Sequence, residues 1–100
     1  MSLTSRQRSH LRSVAHSLDP VVLVGRAGVT DAVVREVDDA LEARELIKIR
    51  LSGDRDERAR AAAAVAERTG SEVAGRVGRI AILYRENHDP SRRRITLPPG

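Results

Sequence analysis

The residues in this chain best suited to chemistry are Gly25, Arg26, Ala27 and Gly28. They follow the apolar run Pro20 to Val24 and precede Thr30-Asp31, a helix-start signal. Glycines let another backbone approach closely. The first N–H groups of a helix lack partners and sit at the positive end of its dipole. Arg26 adds a guanidinium fork that matches phosphate. Together these make an anion site. A plain strand-to-helix turn also uses two glycines three apart, so the motif alone is weak. It is neither a Walker loop nor a dinucleotide fingerprint, because Gly-Lys-Ser/Thr and G-x-G-x-x-G are both absent.

The other reactive residue types read as structural. His10 and His16 lie six apart with no carboxylate at ligand spacing, so no metal is expected. Ser9 and Ser13 have a histidine nearby but no third member or oxyanion loop. Asp54, Asp56 and Glu57 fit a helix N-terminus. Tyr84 is the only aromatic residue, so the stacking platform of many single-strand binders is missing, and core packing is its expected role, with stacking on a single base as the alternative. Arg92, Arg93 and Arg94 form a solvated basic run or add phosphate contacts. No catalytic set assembles, and neither enzymatic activity nor a cofactor is expected.

With 100 residues the chain allows one domain with a modest core. It contains no cysteine, which excludes disulfides, thiolate metal sites and cysteine nucleophiles. It has no apolar run near a membrane-span length, and no apolar stretch follows the basic N-terminus as in a secretory signal. A cytoplasmic protein is therefore expected. The formal charge is +4, and its distribution is more telling than its size. Residues 1–30 carry net +3, residues 31–47 net −4, residues 48–60 net +2 and residues 61–100 net +3. A negatively charged ligand should therefore avoid the middle segment and approach the first helix, the Arg26 loop and the sheet ends.

The elements that would position these residues are legible. Thr4 to Gln7 reads as a capping box opening a helix from about Ser5 to His16 or Ser17. Pro20 to Val24 reads as a strand buried on both faces. Thr30 caps a helix running to about Arg44. Leu46 to Leu51 alternates as a strand with Lys48 and Arg50 on its outer face. Asp54 to Glu57 is a second capping box, and its helix stops at Gly70. Val73 to Val77 and Ile80 to Arg85 flank Gly78-Arg79 as a hairpin. Residues 87–100 read as a loosely ordered basic tail, with a short extended piece at Ile95 to Leu97. The order α-β-α-β-α-β-β predicts a single-domain α/β sandwich. Its four-stranded mixed sheet would have strands one to three mostly parallel and a terminal antiparallel hairpin.

The stretches LRSVAH (11–16), PVVLVGRAGVTDAVV (20–34), ALEARELIK (40–48), GRIAILYR (78–85) and RITLP (94–98) carry a resemblance. In order and spacing the chain resembles the YhbY family, the stand-alone form of the CRM (chloroplast RNA splicing and ribosome maturation) domain, over most of residues 3–98. The resemblance implies a fold akin to the C-terminal domain of translation initiation factor three. It implies binding to ribosomal RNA in large-subunit precursors and a role in ribosome assembly. It puts the family's G-x-x-G loop on Gly25, Arg26, Ala27 and Gly28, and its basic first-helix surface on Arg6, Arg8 and Arg12. A monomeric RNA-binding domain spanning residues 1–98, without a membrane association, is the resulting expectation, with ribosomal proteins as further partners. The alternatives are a small phosphate-ligand-binding regulator or enzyme using the same loop, and a protein-interaction module using the acidic middle helix.

Overall fold

Thr4 opens the first helix through a closed capping box. Its Oγ1 accepts the Gln7 N–H at 3.1 Å, and Gln7 Oε1 accepts the Thr4 N–H at 3.0 Å. In the computed structural model, which describes residues 2–100, this helix is α1 (Ser5–Ala15). It is followed by β1 (Pro20–Val24), α2 (Asp31–Arg44), β2 (Leu46–Leu51), α3 (Arg55–Thr69), β3 (Glu72–Val77) and β4 (Ile80–Tyr84). Asp54 caps α3 through the second box, accepting the Glu57 N–H at 2.8 Å. Each element falls within one or two residues of its sequence signal.

The sheet order is β1-β2-β4-β3. β1 and β2 are parallel, and β4 is antiparallel to both β2 and β3. Strands β1, β2 and β3 thus point the same way, as expected, but only β1 and β2 are parallel neighbours. The two-residue turn at Gly78-Arg79 keeps β4 beside β3, and the other edge of β4 pairs with β2. One end of the sheet therefore collects the β1–α2 loop, the β2–α3 loop and the β3–β4 turn. A hydrogen bond from Leu51 N–H to Arg79 O at 2.7 Å ties the last two together.

Alternation along β2 divides the interior. Ile47, Ile49 and Leu51 pack under α2 and α3 with Val37, Leu41, Val65 and Leu83. Leu46 faces the other way and packs with Leu11 and Ala15 of α1, Ala74, Ile82 and Tyr84. Each large aliphatic side chain buried here contributes about 1.5–3 kcal/mol. Lys48 and Arg50 share the face of Leu46 but lie beyond α1. The expectation that β1 is buried on both faces is corrected. Val22 and Val24 are buried, whereas Val21 is 39% and Leu23 60% exposed. The reason is that β1 is an edge strand, and α1 packs on β2, β3 and β4 instead.

The tail also departs from expectation. It forms no further strand, only a 3₁₀ turn at Pro90–Arg92, and it is held down. The Glu45 side chain is buried, and its carboxylate accepts N–H groups from Asn87 (2.6 Å), Arg94 and Ile95 (2.9 Å). Ile95 and Leu97 then pack against the α1 side of the sheet. Glu45 holds this position with a φ of 64°, between α2 and β2. Such a backbone conformation is costly for a non-glycine residue and persists only where the surroundings enforce it.

Candidate functional site

Gly25 to Gly28 closes as a turn, with Gly28 N–H donating to Gly25 O at 3.0 Å. Gly28 has φ +78°, which a side chain would make strained. Arg26 and Ala27 form the exposed tip. Among the described residues, their N–H groups have no acceptor within the protein. These two amides and the Arg26 guanidinium are therefore available to an anion.

The start of α2 is less available than the sequence suggests. Thr30 Oγ1 takes the Val33 N–H at 3.2 Å, and Asp31 pairs with Arg68 at 2.7 Å. Hydrogen bonding and charge from Arg68 hold the Asp31 carboxyl below its usual range. The Thr30 cap thus takes one of the first N–H groups of the helix, and Arg68 takes up the Asp31 carboxylate. The open volume lies on the other side of the turn, toward α3, as a cleft of about 640 Å³. Gly25, Arg26 and Gly28 form one wall, and Ser52 and Gly53 of the β2–α3 loop form its floor. Arg60 of α3 and Arg79 of the β3–β4 turn complete it.

Sequence reasoning misses Arg60 and Arg79. Each is one arginine among seventeen, and only the convergence of three loops brings them to Arg26. None of the three makes a salt bridge. The five ion pairs among the described residues use Arg68, Arg85, Arg92 and Arg93, and Arg85 and Arg92 neutralise Asp38 and Glu42 of the acidic α2. One carboxylate, Glu57, lines the cleft, but its Oε1 is committed to the Asp54 N–H at 3.0 Å. Three guanidinium groups against one engaged carboxylate leave the cleft electropositive.

The three arginines of α1 lie elsewhere. Arg8 donates to Leu3 O at 2.7 Å and Arg12 to Ala74 O at 3.2 Å, while Arg6 is exposed. They sit on the opposite face of the sheet from α2 and α3, and none lines the cleft. Lys48 and Arg50 lie between them and β1, with Arg50 level with Leu23. Lys48 Nζ caps the end of α1 through His16 O at 3.4 Å. Tyr84 is buried, and its hydroxyl is pushed up to about 12 by desolvation and by the Glu45 and Glu86 carboxylates. It is a core residue and offers no stacking face. Among the described residues no group of three metal-ligating side chains exists.

The β2–α3 loop sets the floor of the cleft and depends on Gly53. Its φ is +95°, and a Cβ there would lie 2.9 Å from the Glu57 Cβ. Gly53→Ala is expected to lower stability by about 1–2 kcal/mol. A thermal melt of the purified variant checks this; an unchanged midpoint would contradict it.

Fold and site together define a small mixed-sheet α/β domain with a glycine-flanked, arginine-lined cleft at one sheet end. The CRS1 / YhbY (CRM) domain matches residues 3–85, and the chain belongs to that family. It is 36% identical over 97 residues to the probable RNA-binding protein YqeI of Bacillus subtilis, covering 96% of this chain and 99% of that one. It is 33% identical over 93 residues to the probable RNA-binding protein PA4753 of Pseudomonas aeruginosa, covering 92% and 89%. The solution structure of the hypothetical protein SAV1595 from Staphylococcus aureus superposes with a TM-score of 0.85 at 35% identity, covering 97% of this chain and all of that one.

Proposed function

We propose that this protein binds RNA without catalysing a reaction, and that it acts on ribosomal RNA in precursors of the large subunit. The observation that carries the binding mode is the cleft itself: Arg26, Arg60 and Arg79, all without salt bridges, around a turn with two free amides. The names of its relatives support RNA as the polyanion.

Phosphate groups dock at the turn. Arg6, Arg8 and Arg12, on the other face, meet a neighbouring part of the RNA, with Lys48 and Arg50 between. Contacts of this kind position a protein and carry no sequence information, so selectivity comes from the shape of folded RNA. The ribosomal assignment rests on the family resemblance.

Sedimentation of tagged protein from lysate through sucrose gradients at low and high salt tests the proposal. Co-migration with large-subunit precursors at low salt, and release at high salt, is the expected result. Protein that stays at the top of the gradient at low salt would contradict the ribosomal assignment. A small phosphate ligand is separated from RNA by the salt dependence of binding. RNA gives a log–log slope of about −0.7 to −0.9 per phosphate engaged, whereas a single nucleotide gives a shallow one.

A further inference from the structure

The loop cleft is one end of a longer basic rim. Past the β3–β4 turn, Arg55 and Arg58 of α3 meet Arg76 of β3 beside Gly78, around a second cleft of about 310 Å³. On α3, Arg55 and Arg58 are three residues apart and share one helix face, away from Arg60. No carboxylate lines this second cleft, and none of its three arginines is in a salt bridge. Arg58 is fixed by its Nη1, which donates to Gly53 O at 2.7 Å. Its Nε is buried and has no hydrogen-bond partner. Arg55 and Arg76 are exposed.

Three guanidinium groups gathered without a counter-charge repel one another, and an anion between them relieves that repulsion. We infer that the Arg55–Arg58–Arg76 cleft is a second phosphate site, which takes a phosphodiester of the same RNA strand held at the Gly25–Gly28 turn. The inference rests on the RNA-binding reading above and extends it. The strand order makes the track continuous. From β1 to β3 the sheet end presents Arg26, then Ser52 and Gly53, then Arg79, then Arg76. Strands are spaced about 4.8 Å apart, so the rim is about 14 Å wide, a span for several nucleotides and not for one. The occupant is thus a strand, and a dinucleotide with its single phosphodiester cannot reach both clefts.

The test compares wild type, Arg55→Gln with Arg76→Gln, and Arg26→Asp with Ala27→Asp. The probes are a fluorescent uridine dinucleotide and a dodecanucleotide, titrated over a salt series. Arg58 is left in place because it also braces the Gly53 loop, and circular dichroism verifies folding. The glutamine pair is expected to weaken the dodecanucleotide roughly tenfold. Its salt slope should become shallower by about 0.7 for each phosphate that is no longer neutralised, with the dinucleotide unchanged. If the glutamine pair binds the dodecanucleotide like wild type while the aspartate pair does not, the second site is refuted and the loop reading stands. If only the glutamine pair weakens binding, the second site stands and the loop reading falls. A glutamine pair that keeps RNA binding but no longer binds an oligoglutamate peptide would overturn the inference in favour of an acidic protein partner.

Discussion

Replacing Arg26 and Ala27 together with aspartates is expected to reduce RNA affinity about a hundredfold, while circular dichroism and the melting temperature stay at wild-type values. The substitution changes the charge at the tip of the turn from +1 to −2. Two unit charges 4 Å apart interact by about 4 kcal/mol at an effective dielectric constant of 20, and salt lowers that at an exposed site. A net loss of about 3 kcal/mol remains and corresponds to about two decades in Kd. The fold should survive because both side chains are exposed and the Gly28-to-Gly25 hydrogen bond belongs to the backbone. Fluorescence anisotropy with a ribosomal RNA fragment at several salt concentrations measures the effect. Unchanged affinity in a folded variant would remove the turn from the interface.

Glu45→Ala should produce the largest loss of stability. It removes the shared acceptor of three N–H donors, from Asn87, Arg94 and Ile95, in one buried and two part-buried hydrogen bonds. At about 1 kcal/mol or more for each unsatisfied donor, the cost is about 3 kcal/mol. For a domain of this size, that lowers Tm by roughly 12 °C or more. The tail should detach as well, which limited proteolysis near Arg92 would register.

The same carboxylate gives a pH signature. Burial alone would raise its pKa, but the three N–H donors and the Arg93 guanidinium outweigh burial and hold it below the ordinary value. A depressed folded-state pKa contributes stability that is present above the unfolded value, near 4.3, and lost as pH falls through the lower folded value. Wild-type protein should therefore lose stability on the acid side of about pH 4, and Glu45→Ala should lose less there. Parallel acid limbs in thermal melts of the two proteins would show that Glu45 is not the titrating group.

What could be read in advance follows from the range over which each signal acts. Thr4 with Gln7, Asp54 with Glu57, and Thr30 ahead of Val33 are contacts three residues apart, so local sequence determined where all three helices begin. The alternation of Leu46 to Leu51 determined which residues of β2 face each core. The glycine turn with Arg26 was legible for the same reason, since its closing bond spans only Gly25 to Gly28.

The failures all involve distant partners. The exposure of Val21 and Leu23 depends on β1 lying at the sheet edge, which the strand's own apolar run does not encode. Glu45 reads in the sequence as one more acid in an acidic segment. Its role as anchor of the tail exists only because the chain returns to it some fifty residues later. Arg60 and Arg79 join Arg26 because a mixed sheet brings three connections to one end. The sequence by itself determined the elements, their caps and the closing of the glycine turn. Tertiary structure decided which arginines share a cleft, because charge convergence depends on distances in space that no short-range pattern carries.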